Sequence, residues 1–221
     1  MQLHKQIKSP NTMKASFLRL ITLFILSLCA SSAISAEQQG NVIKPAPLVS
    51  IASHDAFFNS LKALCGKAFL GKVTLDNHGP SSMSENPLIM HVRRCTDQQL
   101  QIPFHVGDDA SRTWIITKTG AGLLLKHDHR HDDGSYSEST MYGGHTVDAG
   151  WAQVQSFPAD AYSKELFAKQ GIPQSSTNIW QMYIYPKEFT YRLIREGREF
   201  RVDFDLSKEI AVPAAPWGYA D

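Results

Sequence analysis

Residues 199–206 read Glu-Phe-Arg-Val-Asp-Phe-Asp-Leu, and this stretch decides the fold class. Apolar side chains stand at every second position, so in an extended strand Phe200, Val202 and Phe204 lie on one face. The charged side chains between them lie on the other face. This alternation is typical of an antiparallel sheet that has one side against a core and the other against water. The sequence therefore predicts a strand here, and the same pattern extends back along the chain.

Nine further runs of β-type residues precede this strand, and most of the connections between them are short and rich in turn residues. Helices do not alternate with strands, which excludes parallel βαβ units and predicts an antiparallel meander. One short amphipathic helix is predicted over 55–64, before the first strand, and another over 160–170, between the seventh and eighth strands. About ten strands must hide their edges, so we predict an all-β, calycin-like barrel. The ten predicted strands are 67–75, 88–95, 100–106, 112–119, 122–130, 136–142, 152–157, 178–185, 189–195 and 199–206.

The N-terminal segment has the organisation of a secretory signal. Basic residues precede a short apolar run over 20–28, and small residues follow as far as Ala36. The apolar run is too short for a stable membrane-spanning helix. Acylation of Cys29 is the weaker alternative, because the large Leu28 precedes it. We predict a signal peptide over 1–36, a disordered lead-in over 37–52, a β-barrel domain over 53–208 and a C-terminal tail over 209–221, in a periplasmic or secreted protein.

The charge of the predicted mature chain is close to balanced. The 21 Asp and Glu residues all lie beyond residue 36, whereas four of the 22 Lys and Arg residues precede it. The mature net charge is thus about −3, with both signs interspersed, which excludes the basic field expected for nucleic-acid binding. No second long apolar run follows, so we expect no integral membrane segment in the mature chain.

Cys65 and Cys95 are the two cysteines beyond the predicted signal peptide. An even pair in an exported chain favours a disulfide. It would close a loop of about 30 residues and contribute about 3 to 4 kcal/mol in the chain-entropy model. Two separate buried thiols are the alternative, and the absence of a Cys-x-x-Cys motif argues against a redox role.

A histidine ladder is formed by His127, His129 and His131, which alternate with acidic and basic residues. On a strand, all three would point to the same face, and a His-x-His pair can ligate one Zn²⁺ or Cu²⁺ ion. The neighbouring hairpin strand could supply a third ligand from Glu138 or His145. The Asp-Gly turn that follows instead favours an exposed hairpin tip, where the ladder would be a polar rim.

His91 and His105 form a second candidate pair. If Cys95 lies opposite Gln101, the predicted hairpin places the two histidines opposite each other, on the face that does not carry Met90. Two facing imidazoles could titrate together near pH 6. Either residue could also supply the third metal ligand, and the sequence leaves open whether this face is inside or outside the barrel.

Aromatic residues are concentrated within and beside the predicted strands. In a small barrel, Trp114, Trp180, Tyr183 and Tyr191 could line a cavity for a small-molecule ligand. The alternative is that these side chains fill the core. An inward-pointing arginine could hold an anionic group, and the arginines at strand positions are Arg93, Arg94, Arg112, Arg192 and Arg195.

Five runs of sequence carry a resemblance: 64–69 (Leu-Cys-Gly-Lys-Ala-Phe), 102–107 (Ile-Pro-Phe-His-Val-Gly), 111–114 (Ser-Arg-Thr-Trp), 126–131 (Lys-His-Asp-His-Arg-His) and 157–160 (Phe-Pro-Ala-Asp). Through them the chain resembles a group of uncharacterised exported bacterial proteins over about residues 63–206. The resemblance implies a Gram-negative periplasmic protein without an assigned activity. More loosely, the architecture resembles the calycin barrels of lipocalins and fatty-acid-binding proteins. Gly66-Lys67-Ala68-Phe69 stands where lipocalins carry a tryptophan-centred glycine motif, so ligand binding follows from fold analogy alone.

Signatures of nucleophilic enzymes, P-loops and dinucleotide-binding folds are missing from the sequence. Three hypotheses therefore stand. The first is a small-ligand-binding or periplasmic accessory barrel. The second is a metal-dependent enzyme or metal carrier, using Zn or Cu, centred on His127 and His129. The third is a structural or interaction protein whose barrel is filled.

Overall fold

The computed structural model describes residues 51–220, and the predicted signal peptide and nearly all of the predicted lead-in lie outside them. Among these residues, no helix has the length and apolarity needed to cross a membrane. The helices are α1 (Ala52–Lys62), α2 (Ser82–Glu85), α3 (Ala161–Lys169) and a 3-10 helix (Pro173–Thr177). The strands are β1 (Ala68–Asp76), β2 (Leu88–His91), β3 (Arg94–Cys95), β4 (Gln99–Val106), β5 (Asp109–Thr119), β6 (Gly122–His129), β7 (Tyr142–His145), β8 (Val154–Pro158), β9 (Ile179–Tyr185), β10 (Glu188–Arg195) and β11 (Arg198–Ile210).

The strands form one antiparallel sheet in the order β7-β6-β5-β4-β2-β1-β11-β10-β9-β8, with β3 paired to β4 beside this path. The first strand pairs with the last in the middle of this order, and the sheet curves into a nearly closed barrel whose end strands are β7 and β8. The predicted all-β antiparallel fold is confirmed. The helix before the first strand is confirmed as α1. The second predicted helix is α3, which lies between β8 and β9, the seventh and eighth predicted strands.

The barrel closes where β7 meets β8, and two glycines make this close approach possible. A Cβ atom on Gly144 would lie 1.8 Å from the carbonyl oxygen of Pro158. The amide of Asp160 donates to the carbonyl of Gly143 at 2.9 Å, and the hydroxyl of Ser163 accepts from the Gly143 amide at 2.7 Å. Side-chain and loop hydrogen bonds thus take the place of a regular ladder between these two strands.

Helix α1 closes one end of the barrel. Its residues Phe57, Phe58 and Leu61 are completely buried and belong to the same core as the inward-facing strand residues. The ammonium of Lys118 on β5 pairs with Asp55 on the helix and lies over the ring of Phe58. The apolar face of the helix is therefore fixed against this end. Helices α2 and α3 lie at the other end of the barrel, where α2 contacts β1 and α3 contacts β7.

The sixth predicted strand is wrong in its boundaries. Residues 130–141 form a loop instead, with one isolated bridge between Arg130 and Tyr136, and the strand itself is β7. Met141 has a φ of 58°, a left-handed conformation that interrupts an extended strand just before Tyr142. As a result, β7 begins six residues later than predicted, and Glu138 is not part of the sheet.

Cys65 and Cys95 form a disulfide with their Cα atoms 6.2 Å apart, which confirms the predicted pairing. The bond joins the segment after α1 to the short strand β3.

The last residues of the described chain lie against the outer face of the barrel. The amide of Trp217 donates to the carbonyl of Ala110 at 3.1 Å, and the hydroxyl of Tyr219 donates to the buried carboxylate of Asp128. The guanidinium of Arg130 lies 4.0 Å from the ring centroid of Tyr136 and 5.1 Å from that of Tyr219. These contacts hold the segment after β11 against β5 and β6.

Candidate functional site

A cavity of about 510 Å³ opens at the end of the barrel opposite α1. Its walls come from β1, β6, β7, β9, β10 and β11, from α3 and from the segment that contains α2. A smaller inner chamber of about 90 Å³ adjoins it deeper in the barrel and shares several of its lining residues. The apolar and aromatic side chains around the larger cavity are Met83, Tyr142, Phe167, Ile172, Trp180, Tyr191, Leu193 and Phe200.

Three of the four aromatic residues predicted to line a cavity do so. Trp180 and Tyr191 line the larger cavity, and Trp114 and Tyr191 line the inner chamber. Trp114 stacks on Phe104 and on Tyr191, with ring centroids 4.9 Å and 4.7 Å away. Tyr183 lies on the outer face, where its hydroxyl donates to Oε1 of Gln181 at 2.9 Å. Tyr183 fails as a candidate because it alternates with the inward-facing residues of β9.

His127 points into the barrel, and its two ring nitrogens are both hydrogen-bonded. Nδ1 lies 3.1 Å from the backbone carbonyl of Tyr142, and Nε2 lies 2.9 Å from the hydroxyl of Tyr191. A carbonyl oxygen can only accept, so Nδ1 carries the proton and donates. In a neutral imidazole, Nε2 is then an acceptor, and the hydroxyl of Tyr191 must donate to it. These two bonds fix the tautomer of His127.

His129 points to the same interior and has a freer ring. Its Nε2 lies 3.1 Å from the hydroxyl of Tyr142, a group that can both donate and accept. Within the described part of the chain, Nδ1 of His129 has no hydrogen bond. His129 lines both the larger cavity and the inner chamber. Its ring can therefore present either a donor or an acceptor to a guest, depending on the orientation of the Tyr142 hydroxyl.

Burial keeps the side chains of His127, His129 and Tyr142 uncharged. Desolvation, with a smaller contribution from nearby His129, lowers the pKa of His127 to about 3. Desolvation together with the positive charge of Arg112 lowers the pKa of His129 to about 4. Desolvation also raises the pKa of Tyr142 to about 12. At neutral pH the two imidazoles and the phenol all lack charge and act as hydrogen-bonding groups only.

The residues predicted to bind a metal are not brought together. His127 and His129 share the interior, but His131 and Glu138 are exposed in the loop between β6 and β7. His145 lies opposite Leu124, which places it on the outer face of the sheet. Among residues 51–220, no group of three or more His, Cys, Asp or Glu side chains could hold a metal ion.

The charged groups at the cavity are paired with one another. At its open end, the guanidinium of Arg198 forms an ion pair with the carboxylate of Asp76. Although burial raises the pKa of Asp76, the hydrogen bond and positive charge of Arg198 hold it below its usual value. In the inner chamber, Nη1 of Arg112 lies 2.6 Å from the carboxylate of Asp109. Of the arginines at predicted strand positions, Arg112 lines this interior.

Asn178 lines the larger cavity, and the oxygen of its side-chain amide is buried. Its backbone is fully engaged, because its amide donates to Ser175 and its carbonyl accepts from Ala159. The residue is 6% exposed, and its side-chain oxygen Oδ1 is buried without a hydrogen-bond partner among the described residues. A buried amide oxygen without a partner loses about 1 to 3 kcal/mol of hydration.

The second histidine pair lies on the outside of the barrel, but it is buried. His105 pairs with Ile89 in the β2–β4 ladder, and His91 lies diagonally from it on the same face. The predicted register is wrong: Cys95 lies opposite Leu100, one residue from the predicted Gln101, and His105 lies opposite a residue two positions before His91. Nδ1 of His91 and Nε2 of His105 are buried without a partner in the described chain. Desolvation lowers the pKa of both residues, and Arg93 contributes to the lowering at His91.

Comparison with known proteins finds no matching family model, no matching curated protein and no matching solved structure.

Proposed function

We propose that this protein is an exported barrel that binds one small, largely apolar molecule in the larger cavity. One observation carries the proposal: α1 packs its apolar residues into one end of the barrel, while aromatic side chains at the other end surround about 510 Å³ of open space. Ligand sites in proteins commonly have about 300 to 1,000 Å³ and combine apolar walls with a few polar groups. His129 is one such polar group.

Export is part of the same proposal. It is supported by the organisation of residues 1–36 and by the disulfide between Cys65 and Cys95. Disulfides persist in oxidising compartments such as the periplasm and are rare in the cytosol.

The two other hypotheses have weaker support. A filled barrel would not contain an aromatic-lined cavity of about 510 Å³. A metal centre would need a third ligand beside His127 and His129, and the hydrogen bonds to Tyr142 and Tyr191 already occupy both nitrogens of His127.

A fluorescence titration tests the proposal. N-phenyl-1-naphthylamine is uncharged, small enough for the cavity, and emits strongly only in an apolar environment. Added to the purified protein, it should show a saturable increase in emission with one binding site per chain. No saturable increase at probe concentrations up to its solubility would overturn the proposal.

Paired tryptophan substitutions locate the site. Leu193→Trp fills the larger cavity from β10 and should weaken probe binding at least tenfold. Ile194→Trp adds the same ring at the next position, whose side chain points to the outer face, and should leave binding within about twofold. Ser175→Phe, in the 3-10 helix beside the opening, is a second blocking variant that does not disturb a strand. Undiminished binding in a folded blocking variant would place the probe elsewhere and contradict the proposal.

A further inference from the structure

We infer that the ligand is an uncharged, largely apolar molecule with a carbonyl group, and that its carbonyl oxygen accepts hydrogen bonds from the guanidinium of Arg112 in the inner chamber. The apolar body of the ligand then fills the larger cavity. This inference rests on the proposed function and adds the chemical class of the ligand. It follows from the contact between the two spaces, from the unused donors of Arg112 and from the ion pair of Arg112 with Asp109.

The inner chamber has room for the polar end of a guest. It has about 90 Å³, and a water molecule takes about 30 Å³ in the liquid, so the chamber can hold a small group such as a ketone with its ethyl group. The two spaces share five lining residues, which are Met83, His129, Tyr142, Tyr191 and Phe200. One molecule can therefore place its polar end in the chamber and its apolar body among the aromatic side chains of the larger cavity.

Arg112 brings hydrogen-bond donors to the inner chamber. Its side chain shares the interior face with His129, which lies opposite it in the β5–β6 ladder, and it lines the chamber. Burial raises the pKa of Tyr142 and Tyr191, and the positive charge of Arg112 partly opposes this rise. Within residues 51–220, the guanidinium has one hydrogen-bond acceptor, a carboxylate oxygen of Asp109 that lies 2.6 Å from Nη1. The Nε and Nη2 donors remain unused, and the side chain is 22% exposed, so a guest can reach them.

The ion pair with Asp109 favours a neutral acceptor over an anion. The carboxylate of Asp109 already compensates the charge of Arg112, and the imidazoles of His127 and His129 are neutral at pH 7. A guest carboxylate would lose its hydration and add an uncompensated negative charge beside Asp109, which is strongly unfavourable. A carbonyl oxygen accepts the same N–H groups without adding charge, and hydrogen bonds from a charged donor are stronger than those from a neutral one.

Three probes that share one ring system test the inference. 6-Propionyl-2-(dimethylamino)naphthalene carries a ketone, 6-(dimethylamino)-2-naphthoate carries a carboxylate at the same ring position, and 6-propyl-2-(dimethylamino)naphthalene has no oxygen. In the wild-type protein, we expect the ketone to bind at one site per chain and at least tenfold more tightly than the carboxylate. All three affinities can be measured by displacement of N-phenyl-1-naphthylamine, which also shows that the probes compete for the larger cavity.

Substitutions of Arg112 assign the contact. Arg112→Met removes the donors, so it should weaken binding of the ketone about five- to twentyfold and leave the propyl compound within about twofold. Emission of the bound ketone should also shift to shorter wavelength, because this fluorophore emits at longer wavelength when its carbonyl accepts a hydrogen bond. Arg112→Lys keeps a charged donor and should retain most of the affinity. The matched control is Arg94→Met, at an exposed position of β3, which should change neither affinity nor emission.

The outcomes separate the inference from the proposed function. If the carboxylate binds as tightly as the ketone, the chamber takes an anion, so the inference is wrong while the proposed binding function stands. Equal weakening of the ketone and the propyl compound by Arg112→Met would overturn the contact with Arg112. Saturable binding of N-phenyl-1-naphthylamine without binding of the ketone would overturn the inference alone, and binding of neither would overturn both. Because the ketone and the carboxylate are compared in the wild-type protein, the inference stays testable even if Arg112→Met fails to fold.

Discussion

The hydroxyl of Tyr191 on β10 donates to Nε2 of His127 on β6 across the interior of the barrel, over a distance of 2.9 Å. These strands lie far apart in the order of the sheet, so the bond crosses the barrel instead of following a ladder. It also lies beside the inner chamber, which both residues line.

Substitution of Tyr191 by Phe should destabilise the fold by about 1 to 3 kcal/mol, because Nε2 of His127 would remain buried without a donor. The matched control is Tyr183→Phe, which removes a half-exposed hydroxyl from the outer face of the neighbouring strand and should change the free energy of unfolding by less than about 0.5 kcal/mol. Urea unfolding at pH 7 measures both. Equal effects of the two substitutions would contradict the bonding scheme of His127.

The stability of the protein should fall as the pH falls from 6.5 to 5. The pKa values of His127 and His129 are about 3 and about 4 in the folded state, below the ordinary value of 6.5 that applies in the unfolded chain. The unfolded chain therefore binds more protons in this window, and each histidine contributes a slope of up to about 1.4 kcal/mol per pH unit. Their contribution is fully present above pH 6.5.

The pH dependence can be assigned by substitution. A double variant with His127→Gln and His129→Gln should show a clearly shallower slope between pH 6.5 and 5 in urea unfolding. His91 and His105, whose pKa values are also lowered, would account for the remaining slope. An unchanged slope in the double variant would show that the interior histidines are not held neutral.

Gly144→Ala should prevent the close approach of β7 and β8. The added Cβ would lie 1.8 Å from the Pro158 carbonyl oxygen, a backbone atom that cannot move without separating the strands. We expect a loss of at least about 3 kcal/mol or a failure to fold, in line with the large values seen for severe overpacking. Gly120→Ala is the control, because no atom lies within 4 Å of its added Cβ. Thermal unfolding of the two purified variants provides the comparison.

Replacement of both Cys65 and Cys95 by Ser should lower the free energy of unfolding by about 3 to 4 kcal/mol, the chain-entropy value for a loop of this length. The folded double variant should keep its affinity for N-phenyl-1-naphthylamine, because neither cysteine lines the larger cavity. Mass measurement after alkylation without a reductant checks the bond itself. Labelling of both thiols in the unfolded wild-type protein would refute it.

The strands and the fold class could be predicted from the sequence because they depend on local patterns. The alternation of Phe200, Val202 and Phe204 reports a half-buried strand directly, and all three residues are buried in the structure. The strand predicted over 136–142 is wrong up to residue 141, because these loop residues have the pattern of a second hairpin strand. Only the left-handed conformation of Met141 separates them from β7, and an amino-acid type that rarely adopts this conformation gives no warning.

The site was harder to predict, because its residues come from strand ends that are far apart in the sequence and come together only in the folded barrel. Trp114, Trp180 and Tyr191 were predictable as inward-facing aromatic residues, and the face of each strand follows from alternation. Asn178 was missed because an asparagine before a strand is an ordinary turn residue. The ion pair of Asp76 with Arg198 joins the end of β1 to the start of β11, and this contact exists only once these two strands, which are far apart in the sequence, have paired.

The pairing of the first strand with the last, in the middle of the sheet, has a consequence for how the chain folds. Gly71 pairs with Phe204, so this ladder cannot form until most of the sequence has been made and brought together. Contacts between residues so distant in sequence slow folding, because the entropy of loop closure is lost before the ladder is gained. Until then β1 and β11 each present an unpaired edge that can recruit a strand from another molecule. Refolding yield should consequently decline as the protein concentration increases, and rapid dilution should favour the monomeric barrel over aggregates.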